Sequence, residues 1–425
     1  MAAVHPSSSS ARSAITGGFK VRDKLVGIAK EAIKIGRDDP RKLTHCVKVG
    51  LALTLISLLY YFNPLYDAFG QSGILAVLTV FSVFEFTVGE TLSKCFNNVL
   101  ATLLAASLGI GVVYLTQLLG QVGQPFILGT VIFILVALSN LARFFDPIEN
   151  KYNDGVMVFI LTFIMIAISG DRVEKIWKMC YQRVLAVIIA NAICIIISII
   201  VFPVWAAENL PNLVADNIDK VAKSLEEFGK ADEESVDKAY DDDKDYEDVI
   251  NSKDSEKSLA IHAWWEFDPC GFGFGNPWDQ YIKVGDLVRE CASHIQSLSC
   301  LAASESHQAP TELARRMKEA CTVIYSESIK ALRELSSTIK TMTHPSPDIT
   351  THLESAKAAI ADLQASLQLD ANAQNLRALD EALIIIKLTA GVDKIWEATQ
   401  ELSENPLRAP LHDSPSDDNF STLPC

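Results

Sequence analysis

The sequence predicts an all-α protein in two parts, a six-span helical membrane domain followed by a helical cytoplasmic domain. Three observations carry this. Apolar runs recur at 44–62, 71–89, 96–119, 125–142, 153–169 and 182–203, each about 17–24 residues and so able to cross a hydrocarbon core of ~30 Å. Hydropathy collapses after Trp205, although the whole chain has a mean hydropathy of +0.21. Charge divides at the same place: residues 1–209 hold 17 Lys and Arg against 13 Asp and Glu, net +4, and 210–425 hold 20 against 39, net −19. No strand-like alternation of any length occurs.

Residues 1–42 form the expected cytoplasmic N-terminal segment. Its first sixteen residues are Ser- and Ala-rich with no apolar core, so no cleavable signal peptide is expected. From 17 to 42, Phe19, Val21, Leu25, Ile28, Ala32 and Ile33 recur at helical spacing, with Lys20, Arg22, Lys24, Lys30, Lys34, Arg37, Arg41 and Lys42 on the other face. Such a helix suits anionic headgroups, or simply flanks the first span as a positive-inside signal.

Residues 43–205 make the expected six-helix transmembrane, anion-conducting domain. An even number of spans puts both ends on one side, and the basic N-terminus, Lys94 and the Arg143–Lys151 turn mark that side as cytoplasmic. The Gly170–Met179 loop breaks the rule, because it falls outside by parity yet carries Arg172, Lys175 and Lys178.

An ionisable group in a span is costly and faces a partner or a water-filled path. Each charge has more than one reading. Lys48, one turn into the first span, either snorkels to the interface or lines a pore. Lys94, expected in a short inside loop, is explained by the positive-inside rule, with pore lining as the alternative. Arg143 is another inside marker, a partner of Glu149, or part of the pathway. Arg172 and Arg183 escape the positive-inside explanation, so the pathway reading leads for both. Eleven residues apart, they would point within about 20° of each other on one continuous helix. Glu85 interrupts the second run as a gate, a proton acceptor or a buried partner of one of these cations, the partner being preferred.

Residues 206–403 read as the cytoplasmic helical domain. An amphipathic helix is expected over 210–230, a mobile acidic linker at about 231–257, and a turn-rich aromatic stretch from Trp264 to Trp278. Helical runs follow at 277–305, 309–343 and 351–402, the last broken near Asp370–Gln374. The tail from 404 to 425 is expected to be disordered.

Enzyme chemistry finds no support. The eight histidines are isolated, and there is no HExxH, no GxxxxGK[ST] loop and no GxSxG elbow. The nine cysteines show no CxxC spacing, which suits a reducing compartment and neither a zinc site nor a disulfide framework. No metal and no cofactor is expected, and an acidic C-terminal half argues against nucleic acid.

A set of motifs in fixed order points further. These are Asp39 to Leu53 (DPRKLTHCVKVGLAL), Val83 to Leu92 (VFEFTVGETL), Arg143-Phe144-Phe145, Lys151 to Gly155 (KYNDG), Phe159 to Phe163 (FILTF), Ser169 to Arg172 (SGDR) and Phe202 to Ala206 (FPVWA). Together, over about residues 37–300, they resemble the plant aluminium-activated malate transporter family. The resemblance implies six spans per subunit, a homodimer, a helical cytoplasmic domain, and passive conduction of malate and inorganic anions such as chloride or nitrate across the plasma membrane or the vacuolar membrane, the plasma membrane being expected here. It implies pore-lining cations at Lys94, Arg143, Arg172 and Arg183, and a regulatory stretch around Phe202 and Trp205. There are departures. Phe267, Pro269 and Cys270 stand where the family's Trp-Glu-Pro-x-His-Gly-x-Phe signature has Pro, His and Gly, and Ala207 replaces a usual Gly. A proton-coupled organic-acid carrier and a membrane-tethered helical scaffold remain the alternatives.

Overall fold

The computed structural model describes residues 40–59, 61, 73–118, 124–145, 148, 152–168, 173–230, 245–266, 277–303, 312–369 and 376–404, with a few single positions before 40. Among these, thirteen α-helices and no strand occur, so the all-α expectation holds. The chain divides into two compact units, Met1–Val204 and Trp205–Cys425. Most of the basic lead-in, the first part of the acidic linker and the C-terminal tail lie outside the described residues.

The first unit contains α1 (Pro40–Leu59), α2 (Gly73–Val83), α3 (Val88–Leu118), α4 (Gln124–Ala142), α5 (Asn153–Ile168) and α6 (Val173–Ile200). Four of them contain stretches long and apolar enough to cross a membrane: Pro40–Leu59, Val88–Thr116, Pro125–Ala142 and Trp177–Ile200. The other two, Ile74–Val83 and Asn153–Ile168, are shorter apolar helices. The chain is thus a multi-pass membrane protein, and its outward apolar side chains, such as Phe133, Leu138 and Ile200, suit a lipid surround.

One boundary departs from expectation. The second apolar run was expected to continue to residue 89 and the third to begin at 96. Instead, the helix stops at Val83 and a new one starts at Val88. The cause is local: the Thr87 hydroxyl accepts a hydrogen bond from the Glu90 amide at 3.2 Å, an N-cap within a Thr-x-x-Glu sequence. Lys94 therefore sits in the opening turns of α3 and not in a loop.

Helix α3 is the axis of this unit and packs on both α5 and α6. It runs parallel to α5, since Lys94 meets Asp154 near one end and Gly109 meets Ile166 near the other. It runs antiparallel to α6, where Asn191 Nδ2 donates to the Cys95 carbonyl at 3.2 Å and Ala106 and Val113 cluster with Cys180. A Cβ on Gly109 would lie 2.7 Å from Ile166 Cγ2; glycine lets the two helices approach this closely. Helices α1 and α2 pack on α6 through Ala52, Ile56, Val80, Ala190 and Cys194.

The second unit is a helical bundle of α7 (Ala206–Lys230), α8 (Asp245–Ile250), α9 (Lys253–Ala263), α10 (Trp278–Ala303), α11 (Glu312–Thr341), α12 (Asp348–Leu369) and α13 (Leu376–Glu404). Leu210, Val214, Ile218, Val221 and Leu225 of α7 are fully buried at the three- and four-residue spacing of an amphipathic helix. Each such side chain contributes roughly 1.5–3 kcal/mol. The acidic linker is expected to be mobile as far as 257; in fact α8 and the first five residues of α9 lie within it. The reason is pairing: Lys220 and Lys223 hold Asp248 and Asp245, and Val249 enters the core. The run expected over 351–402 is two helices, α12 and α13, and the break near Asp370–Gln374 lies outside the described residues.

A buried polar knot ties α7, α9 and α10. Glu256, fully buried, accepts from Asn217 Nδ2 at 3.0 Å and Ser252 Oγ at 2.9 Å, and pairs with Arg289. Arg289 also donates to Asp286 at 2.6 Å. Burial works against the guanidinium charge, but the bonds to Glu256 and Asp286 outweigh it and raise its pKa. Gly285 makes room for the Glu256 carboxylate, since a Cβ there would stand 2.1 Å from Oε2.

Candidate functional site

The membrane-unit charges fall into two kinds. The first is a carboxylate-rich cluster at the α2–α3 break. The Glu85 amide is held by the Thr91 hydroxyl at 3.2 Å, which fixes the break and turns Glu85 toward α3. There its carboxylate takes a short hydrogen bond from Lys94 Nζ. Asp154, in the first turn of α5, lies 3.2 Å from the same ammonium, and Glu90 lies 3.7 Å from it. Three carboxylates from three places in the chain thus surround one cation. One ammonium carries a single positive charge and here faces three carboxyl groups.

The second kind is a buried cation with no carboxylate partner among the described residues. Arg183, on the third turn of α6, is 7% exposed. Its Nε and Nη2 both donate to Thr162 Oγ1, at 3.1 and 2.8 Å, and Nη1 lies 2.9 Å from Met165 Sδ. All these partners are neutral. Lys48, on α1, is 1% exposed and has no hydrogen-bond or ion-pair partner among the described residues. A buried charge without a counter-charge is expensive.

Arg143 ends its exposed turn by donating from Nε to Asn153 Oδ1 at 2.6 Å, which ties the α4 exit to the start of α5. Glu149, a partner considered from sequence, lies outside the described residues, as does Arg172. The ladder of Arg172 and Arg183 therefore has one described rung. Phe202 is 77% exposed and adopts φ 46, a left-handed conformation costly for a bulky side chain. It stands just before Pro203, where the chain leaves α6, and the Val204 carbonyl accepts from the Val88 amide at 2.9 Å. Trp205, half-buried, begins the second unit. In that unit, both oxygens of Glu266 accept from the first amides of α7, Ala206 at 2.7 Å and Ala207 at 2.8 Å. The Trp265-Glu266 pair thus keeps its acid in use as a helix cap although Phe267 follows.

Several participants were not singled out from sequence. Thr162 is an ordinary helical threonine until α6 brings Arg183 against it. Asp154 is one acid among many until α5 starts beside Lys94. His45 stacks on Phe86, with ring centroids 4.2 Å apart, a contact made only because the break redirects Phe86. The Thr87-x-x-Glu90 pattern was the one legible signal, and it predicts both the break and the helical placement of Lys94. No group of three or more metal-ligating side chains occurs among the described residues.

Comparison with known proteins is specific. A family model described as aluminium-activated malate transporter matches residues 33–382. Aluminum-activated malate transporter 2 of Arabidopsis thaliana is 37% identical over 395 residues, covering 90% of this chain and 78% of that protein. Aluminum-activated malate transporter 7 of Arabidopsis thaliana is 35% identical over 437 residues, with 92% and 85% covered. Aluminum-activated malate transporter 1 of Triticum aestivum is 36% identical over 390 residues, with 89% and 84% covered. These relatives are transporters, not enzymes. With matches of this extent, the chain belongs to the aluminium-activated malate transporter family.

Proposed function

We propose that this protein is an anion channel that passively conducts malate, with chloride and nitrate as further permeant ions, across a plant membrane. The observation that carries the reading is Arg183: a guanidinium 7% exposed, bonded only to neutral atoms, in a unit of apolar helices. Such a group replaces part of an anion's hydration shell, and its neutral neighbours leave the charge uncancelled for the ion. Lys48 acts as a second station of the same kind. Arg172 and Arg143 are further cations of the pathway in this reading. Lys94 contributes least while its three carboxylates hold it, and Glu85 sets whether that cation is available.

In this reading flux needs no coupled ion. Moving one charge through 100 mV changes its energy by about 2.3 kcal/mol, so voltage and the anion gradient set direction. The second unit regulates the channel, which works as a homodimer in the plasma membrane, and the stretch from Phe202 to Trp205 carries conformational change to the gate. A proton-coupled carrier is the second reading, favoured by the crowding of Glu85, Glu90 and Asp154 around one ammonium.

Voltage-clamp recording from oocytes loaded with malate separates these readings. A channel gives currents that reverse where the combined anion equilibrium potential predicts and that ignore an imposed pH gradient. Reversal that follows the proton gradient, together with saturating flux, would replace the channel by the carrier.

A further inference from the structure

Between the Lys94 level and the Arg183 level lies a stretch of α3 that the charges do not explain. Asp154 beside Lys94 and Thr162 beside Arg183 are eight residues apart on α5, an axial separation of about 12 Å. Because α3 runs parallel to α5, the same interval on α3 is spanned by Asn98 and Thr102, four and eight residues beyond Lys94. Both are buried, Asn98 at 4% exposed and Thr102 at 1%. Neither the Asn98 Oδ1 nor the Thr102 Oγ1 has a hydrogen-bond partner.

Thr102 is the more telling of the two. Four helical threonines elsewhere in this unit fold back onto the preceding turn: Thr54 donates to the Gly50 carbonyl, Thr79 to Leu75, Thr91 to Thr87 and Thr130 to Phe126, all at 2.7–3.0 Å, whereas Ser198 of α6, like Thr102, has no partner. That bond is always within reach of a helical threonine. Thr102 does not make it, so its hydroxyl keeps both a donor and an acceptor free. Asn98 has an amide whose oxygen and nitrogen exchange places on a half-turn of the side chain, so it too offers either function.

The helical wheel places these groups. Gly109 faces Ile166 of α5, and Thr102, seven residues earlier, points within about 20° of it. Asn98, eleven residues before Gly109, lies within about 20° on the other side. Ala106, about 60° from Gly109 on the Thr102 side, clusters with Ile166 and with Cys180 of α6. The two unpartnered groups therefore line the seam of α3, α5 and α6, into which Arg183 also projects.

We propose that Asn98 and Thr102 are specificity-determining residues of the anion pathway. They are neutral hydrogen-bonding groups that take over part of the permeating ion's hydration, Asn98 between the two cationic levels and Thr102 at the level of Arg183. The inference rests on the channel reading and deepens it. A spherical halide gains little from a directed donor and acceptor, whereas a hydroxy-dicarboxylate, which both donates and accepts, gains more. These residues accordingly favour malate over chloride.

The test uses the full chain in oocytes, with surface protein quantified by biotinylation and the malate-to-chloride permeability ratio read from reversal potentials. Thr102→Val, of matched size, is expected to lower that ratio by about two- to tenfold, the span of one net hydrogen bond. Asn98→Leu is expected to act in the same direction, and Thr102→Ser, which keeps the hydroxyl, to preserve the wild-type ratio. The thermal midpoint of the detergent-solubilised Thr102→Val protein should not fall, because the substitution removes an unsatisfied hydroxyl. A ratio unchanged in Thr102→Val and Asn98→Leu, while Arg183→Gln loses its current, overturns this inference and leaves the channel standing. Undiminished current in Arg183→Gln overturns the pathway itself.

Discussion

Arg183 offers the sharpest trial of the channel reading, because function and stability pull its substitutions in opposite directions. Replacing it with glutamine removes the charge and keeps a side chain able to bond Thr162. At a separation of 4 Å and an effective dielectric near 20, the lost attraction for one carboxylate is about 4 kcal/mol. Dehydration of the anion offsets part of this. If half survives, roughly 2 kcal/mol, malate conductance falls about thirtyfold. Stability should not fall with it, since the guanidinium has only neutral partners in a poorly solvated place. The Thr162 hydroxyl can keep a bond to the glutamine amide or turn to the carbonyl one turn back, as Thr54 and Thr130 do. Arg183→Lys keeps the charge and loses the fork that grips Thr162, so it should retain most of the conductance. The assay is macroscopic malate current normalised to surface protein, paired with a thermal midpoint in detergent for each variant. Wild-type current in Arg183→Gln would refute the reasoning. A lysine variant as silent as the glutamine one would show that shape and not charge is what matters there.

Three further predictions concern the second unit. Gly285→Ala sets a methyl group against Glu256 and displaces it from Arg289; leaving that buried charge unpaired should cost about 3–5 kcal/mol, read as a lowered denaturation midpoint. Glu266→Ala removes the acceptor for the Ala206 and Ala207 amides and should cost about 1–2 kcal/mol, with faster hydrogen exchange at the start of α7 and little change in exchange at α12. Glu327 has a pKa lowered by its bond to Lys330 first, and also by His352. A carboxylate depressed in the folded state contributes stability that is fully present above its ordinary value of 4.5 and is lost as the pH falls through the lower folded value. The wild type should therefore lose its thermal advantage over Glu327→Gln only in that acidic window; an advantage independent of pH would mean the ion pairs are not its source.

Much of this protein is legible in its sequence because a membrane imposes simple rules. Backbone groups in lipid must bond within one segment, so long apolar runs become helices, and the boundary near Trp205 follows from composition alone. The same reasoning marks Lys48, Lys94, Arg143, Arg172, Arg183 and Glu85 as exceptions in need of an explanation. The Thr87 cap is local chemistry as well, written in four consecutive residues, and it moves Lys94 from the expected loop into α3. Helices α8 and α9 were masked by the opposite circumstance. Their acidic composition reads as a solvated linker; burial of Val249 in the core, with Lys220, Lys223 and Asn217 of α7 and Arg289 of α10 as polar partners, makes that stretch fold.

What the tertiary structure decided is which charges are cancelled. Sequence assigns Lys94 to an inside loop and Arg183 to the pathway, and shows the partners of neither. Packing gives Lys94 three carboxylates from α3, α5 and the preceding break, and gives Arg183 a threonine and a methionine. Electrostatic energy depends on distance in space and on burial. Sequence separation carries neither: Asp154 is sixty residues from Lys94 yet 3.2 Å from its ammonium. The free hydroxyl of Thr102 is of the same kind, since every helical threonine looks alike until its hydrogen bonds are seen.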